Sequence, residues 1–87
     1  MKESREIELK DTVDGMLSSD YKERFKAEYY QLEIRFNKLY SMVRKWDKGK
    51  LDFTPTCPRE IYDVQLNSMY EYLKVLQKRA VIENIEL

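Results

Sequence analysis

Basic and aromatic side chains interleave in this sequence in a way suited to holding a charged ligand. Arg24, Lys26 and Tyr30 fall within about two helical turns, where helical spacing lets them share a flank. Lys78 and Arg79 lie together near the other end of the chain. Guanidinium and ammonium groups make charge-assisted hydrogen bonds to phosphate, and tyrosine rings stack on flat heterocycles, so this set reads as binding chemistry. Each member also has a plainer reading. Lys78 and Arg79 would complement the negative end of a helix dipole. Tyrosines, of which there are seven, suit an oligomer interface as well as a base-stacking platform.

Bond-breaking chemistry has little to work with. The absence of histidine removes the usual general base, the serine and cysteine triads and most zinc sites. Cys57 sits at the start of a predicted helix, where a dipole can lower a thiol pKa, but without an imidazole partner it reads as a capping or packing residue. Glu23, Glu28, Glu33, Asp63 and Glu71 lack the histidines that a four-helix carboxylate metal site pairs with such groups, and read as surface ion-pair partners. The two glycines, Gly15 and Gly49, cannot form a phosphate-cradling loop. No catalytic residue, metal or cofactor is therefore expected.

With 87 residues the chain holds one small domain. Sixteen basic and sixteen acidic side chains cancel, yet nine basic against four acidic fall between residues 21 and 50. That excess reads either as solvated helix faces or as an anion-binding surface. A pI near 6.3 argues against a DNA-binding module, since most such modules are strongly basic. No apolar run is long enough to span a membrane, and the opening MKESREIELK lacks the apolar core of a signal peptide. A lone cysteine excludes an internal disulfide, which fits a reducing cytoplasm.

The elements that position these residues follow from apolar spacing. Phe25, Tyr29, Leu32, Phe36, Leu39, Val43 and Trp46 alternate by four and three, the seam of a packed helix. Ser18, Ser19 and Asp20 are candidate N-caps, and the spacing predicts a helix over 19–47. Tyr62, Leu66, Met69, Leu73, Leu76 and Ala80 repeat the pattern and predict a second helix over 57–83, with Pro58 in its first turn, Thr56 or Cys57 as cap, and fraying near Asn84. Residues 48–56 connect them, Gly49 taking the left-handed conformation that ends a helix. Residues 1–18 form an N-terminal arm, with Asp11 capping a short helix over 12–17, and residues 84–87 a C-terminal tail. The fold expected is all-α, a long antiparallel two-helix hairpin. Tyr30, Ile34, Tyr40 and Met42 on the first helix, and Ile61, Tyr72 and Val75 on the second, form a further apolar row that one hairpin cannot bury. A homo-oligomer is expected to cover it.

Two stretches, SDYKERFKAEYYQLEIRFNKL and CPREIYDVQLNSMYEYLKVLQKRAVIENIEL, carry a resemblance. The first holds Arg24, Phe25, Lys26 and Ala27 followed by Gln31 and Leu32; the second holds Gln65, Leu66, Met69 and Tyr72 and reaches Arg79. Over about residues 19–82 the chain resembles the small helical-hairpin proteins of tailed phages and prophages, including relatives named after a crAss-like phage. That group includes the anti-CBASS cyclic-oligonucleotide sponges, with a related hairpin in anti-Thoeris sponges. The resemblance implies a homo-oligomer, often a hexamer, that holds cyclic di- or trinucleotides between protomers without cleaving them, with Lys26 contacting the ligand. The family's arm tyrosine has no counterpart here: Asp11 stands at its position and Gly15 is followed by Met16. The functional expectation is a cytoplasmic sponge for cyclic nucleotide (or cyclic ADP-ribose-type) immune signals. The alternative is a coiled-hairpin module that binds another protein through its second apolar row.

Overall fold

The computed structural model describes residues 7–87, so the first six residues of the expected arm lie outside it. Among the described residues all regular structure is helical: a 3-10 turn at Leu9–Thr12, α1 at Val13–Met16, α2 at Tyr21–Asp47 and α3 at Arg59–Ile82. No helix among them is long and apolar enough to cross a membrane.

Of the three candidate caps for α2, Asp20 does the capping: its side chain accepts the Lys22 N–H at 3.0 Å. No glycine or proline interrupts the next 27 residues. The helix ends where Gly49 turns left-handed, at φ 69°. The Lys50 N–H then reaches the Lys45 carbonyl at 2.8 Å and the Gly49 N–H reaches that of Trp46 at 2.9 Å, closing a Schellman turn. At the start of α3, Pro58 stands one residue before the first turn, with φ −59° and ψ 145°, and no side chain caps the helix. Arg59 thereby becomes its first residue and reaches back to Asp47.

The far end of α3, at Ile82, is closed by a turn. Asn84 adopts φ 59°, and the Ile85 N–H bonds the Ala80 carbonyl at 2.8 Å, a second Schellman turn. Ile85 is thereby folded back and buried, 6% exposed, in one cluster with Phe25, Tyr29, Leu73, Leu76 and Ala80. Of the expected tail, Ile85 thus joins the core, while Asn84, Glu86 and Leu87 stay exposed.

Contacts pair the start of α2 with the end of α3 and the end of α2 with the start of α3. The Tyr21 hydroxyl meets Arg79 and Glu83, the Tyr29 hydroxyl accepts from Gln77 at 3.0 Å, and Trp46 packs edge-on against Tyr62 with ring centres 5.7 Å apart. Phe25 and Tyr29 fill one end of this seam and Val43 is buried toward the other; Leu32, Phe36, Leu66 and Met69 between them are only half-buried.

The arm lies along α2. Gly15 meets Ala27 so closely that a Cβ on Gly15 would stand 3.1 Å from the Ala27 methyl and 3.2 Å from the Glu23 carbonyl oxygen. Thr12 is buried, its hydroxyl donating to the Leu9 carbonyl at 2.8 Å and accepting from Gln31 at 3.3 Å. Asp11 does not cap α1, whose N-cap is Thr12; it is the third residue of the 3-10 turn and accepts the N–H of that turn's N-cap, Glu8, at 2.9 Å. Val13, Met16 and Leu17 are exposed, while Ile7 and Leu9 are half-buried.

Candidate functional site

The first half of α2 is flanked by the arm on one side and α3 on another, and each boundary leaves a groove. Side chains one or two residues apart on a helix point some 100° or 200° apart, so the sequence neighbours Arg24 and Lys26 diverge. Arg24 turns into one groove and Lys26 into the other.

The groove on the arm side, about 330 Å³, takes Lys26 and Tyr30 together with Asp11, Asp14 and Glu23. Ala27 and Gly15 form its floor. The Lys26 ammonium already has a carboxylate at 3.7 Å, that of Glu23. Tyr30 stands edge-on to Tyr29 with ring centres 5.5 Å apart. Partial burial raises its pKa, with the nearby Glu33 charge adding to the effect. Three carboxylates against one ammonium make this groove, within a single chain, unfavourable for a phosphate and better suited to the amino edge of a base.

The groove beneath α3, about 380 Å³, has the opposite balance. Arg24, Glu28, Gln31 and Arg35 line it from α2, Tyr72 from α3 and Met16 from the arm. The positions on α2 step by four, three and four, which places them along one edge of the helix. Arg24 is oriented by a hydrogen bond to the Ser18 carbonyl at 2.9 Å. The Tyr72 hydroxyl donates to the Glu28 carboxylate, and this hydrogen bond, ahead of burial, raises the Tyr72 pKa. The bond spends part of the carboxylate's charge on a neutral partner and leaves two guanidiniums as the groove's strongest electrostatic feature. Eleven residues, about 16 Å along the helix, separate the two, so each guanidinium could offer forked N–H donors to its own phosphate, with the Tyr72 ring and the Gln31 amide between them to meet a base.

Lys78 lies elsewhere, on the outward side of α3 in a third groove with Lys74, Val75 and Ile82. Arg79, its neighbour, is engaged inside the fold. Its guanidinium lies 4.8 Å from the centre of the Phe25 ring, donates to the Tyr21 hydroxyl at 2.6 Å and to Glu83 at 3.1 Å. Hydrogen bonds from Tyr21 and then Arg79 hold the Glu83 carboxyl below its ordinary pKa. The structure therefore brings Lys26 and Tyr30 together, sets Arg24 on a different face with Arg35, places Lys78 on the outward side of α3, and engages Arg79 with Phe25, Tyr21 and Glu83. Arg35, Gln31 and Tyr72 join Arg24 as groove residues that the basic-aromatic reading had not selected. The step from Arg24 through Glu28 and Gln31 to Arg35 was the signal that could have grouped them. Among the described residues no group of three or more Asp, Glu or Cys side chains is placed to hold a metal ion.

Among the described residues the chain is all-helical, with open grooves lined by guanidinium, ammonium and tyrosine groups. It belongs to the Sequestin family, whose family model matches residues 19–82. That span covers α2, the connection and α3, the same stretch over which the sequence carries its resemblance. The family is named for sequestration, which is retention of a ligand rather than its conversion. No curated protein and no solved structure matches the chain.

Proposed function

We propose that this protein is a sponge of phage or prophage type that binds cyclic oligonucleotide immune signals, or cyclic ADP-ribose-type signals, and withholds them intact from their effectors in the host cytoplasm. Membership of the Sequestin family is the observation that carries this reading. The groove chemistry supports it. Arg24 and Arg35 are matched to phosphates, Tyr72 and Gln31 to a base, and Lys26 with Tyr30 offers a second contact surface on the far side of α2. In this reading α2 and α3 form an antiparallel hairpin that is the unit of a homo-oligomer, up to a hexamer. A neighbouring protomer would then complete the Lys26 groove, whose own carboxylates outnumber its single cation. Retention needs affinity alone, which charge-assisted hydrogen bonds and stacking supply.

A panel of cyclic di-, tri- and ADP-ribose nucleotides, tested by thermal shift and calorimetry, checks the reading. A ligand that binds only the folded state, at a hundred times its dissociation constant, raises stability by about 2.7 kcal/mol. One nucleotide should raise the melting temperature and be recovered chemically unchanged after denaturation. Loss of the shift in Arg24→Ala/Arg35→Ala places the phosphates beneath α3; loss in Lys26→Ala places them on the arm side. No response to any nucleotide overturns the sponge reading. It would favour the second one, a hairpin that binds another protein, which the exposed apolar side chains of α3 support.

A further inference from the structure

Opposite its buried seam α3 carries another regular stripe. Val64, Ser68, Glu71, Val75, Lys78 and Ile82 follow one another at spacings of four and three, the repeat of a helix that packs lengthwise on another helix. Nothing in the described chain covers it: Val64 is 63% exposed, Val75 55% and Ile82 75%. A groove of about 580 Å³ runs along its second half beside Lys74, Val75, Lys78 and Ile82. Isolated valines on a surface need no explanation, but apolar residues in register along one line of a helix form a contiguous strip.

The charges in the stripe select the occupant and its direction. Glu71 and Lys78 are one heptad apart and occupy equivalent positions, with Lys74 beside them and 3.8 Å from Glu71. A second copy lying parallel would set Glu71 against Glu71 and Lys78 against Lys78, and like charges brought together across an interface oppose association. A second copy lying antiparallel, with Val64 of each α3 against Ile82 of the other, sets each Glu71 opposite the other copy's Val75, between its Lys74 and Lys78. A parallel copy could oppose Glu71 to Lys78 only by sliding one heptad, which leaves the pairing open-ended, whereas the antiparallel register closes on itself by a twofold. We propose that the outer face of α3 is a twofold interface with a second copy of this chain, the two helices antiparallel in that register. This deepens the assembly part of the reading above and does not rest on nucleotide binding.

Sedimentation and crosslinking of the full chain test it. The wild-type protein should self-associate. Glu71→Lys makes the stripe wholly basic and Lys74→Glu/Lys78→Glu makes it wholly acidic. Each alone should weaken association roughly tenfold or more, and mixing the two should restore it. Circular dichroism verifies that each variant keeps its helix content. For direction, Val64→Cys and Ile82→Cys are made in a Cys57→Ser background and treated with a short bismaleimide. A covalent dimer should form when the two variants are mixed and not from either alone, because Val64 of one copy lies about 27 Å along the axis from Val64 of the other. A monomeric wild type, association indifferent to the charge reversals, crosslinking of either variant with itself, or none in the mixture overturns the interface, whether or not a nucleotide binds.

Discussion

Single side chains at the closed end of the molecule do more than their sequence positions announce. Ile85 lies beyond the last turn of α3, yet it belongs to the same cluster as Leu76, the most buried side chain in the structure. It arrives there because Asn84 turns left-handed and lets the chain double back. Replacing Ile85 with alanine should cost about 2 kcal/mol or more in denaturant unfolding, as for other buried aliphatic truncations. Asn84→Ala should cost about 1 kcal/mol while Asn84→Gly is neutral or stabilising, since only the β-carbon is penalised at positive φ. The seam positions from Phe25 to Ala80 were legible because each spacing is local to one helix. Ile85 was not, because its burial depends on a reversal carried by one asparagine, a residue equally at home in a frayed end. Arg79 was misleading for a related reason. Its sequence setting is that of any basic residue near a helix end, and only the packing of α2 supplies Tyr21 and Phe25 as its partners.

At the scale of elements, close fit adds to the half-buried Ile7 and Leu9 in holding the arm. Its contact with α2 is the close approach of Gly15 to Ala27, reinforced by the buried Thr12. A valine at position 15 has no room and should lift the arm away. In Gly15→Val, hydrogen exchange at the amides of residues 12–18 should lose protection while α2 and α3 keep theirs. The same variant would open both flanking grooves, since Gly15 floors one and Met16 borders the other. The helical elements were legible from periodicity and from their punctuation by Asp20, Gly49 and Pro58. The division of the candidate ligand residues between two grooves was not. Arg24 and Lys26 are neighbours in sequence, and which groove each enters depends on where the arm and α3 lie against α2, a matter of tertiary packing.

At the scale of the whole molecule, both ends of the α2–α3 pair are tied through carboxylates, by an Asp47–Arg59 ion pair at one end and by the Tyr21 hydroxyl bridging to Arg79 and Glu83 at the other. At one end the Arg59 guanidinium grips both carboxylate oxygens of Asp47 at 2.9 Å and also reaches Asp63 at 2.7 Å. The Arg59 hydrogen bonds hold the Asp47 carboxyl below its ordinary pKa. At the other end Glu83 is held low by Tyr21 and Arg79. A carboxyl whose pKa is depressed by folding adds stability above its unfolded-state pKa, and that stability is lost as pH falls through the folded value. The melting temperature should therefore hold steady from neutral pH down to the ordinary carboxylate range and decline below it. In Asp47→Asn/Glu83→Gln the acid decline should be shallower. On the alkaline side the sign reverses. Tyr21 is raised chiefly by its hydrogen bond to Glu83, and Tyr72 by its bond to Glu28, so their contributions persist until pH rises through the folded tyrosine values.

Trp46 is the only tryptophan in the chain, and it sits at the tip of a particle 43 Å long, under the Arg59 guanidinium and against Tyr62. Twenty residues of helix separate it from Lys26 and eleven from Arg35, about 30 Å and 16 Å along α2. Its emission is therefore a lamp at the wrong end of the rod for watching a ligand enter either groove. Intrinsic tryptophan fluorescence should stay flat through a titration that calorimetry records as binding. It should change when Arg59→Ala frees the tip, making the indole a reporter of the connection between α2 and α3 instead.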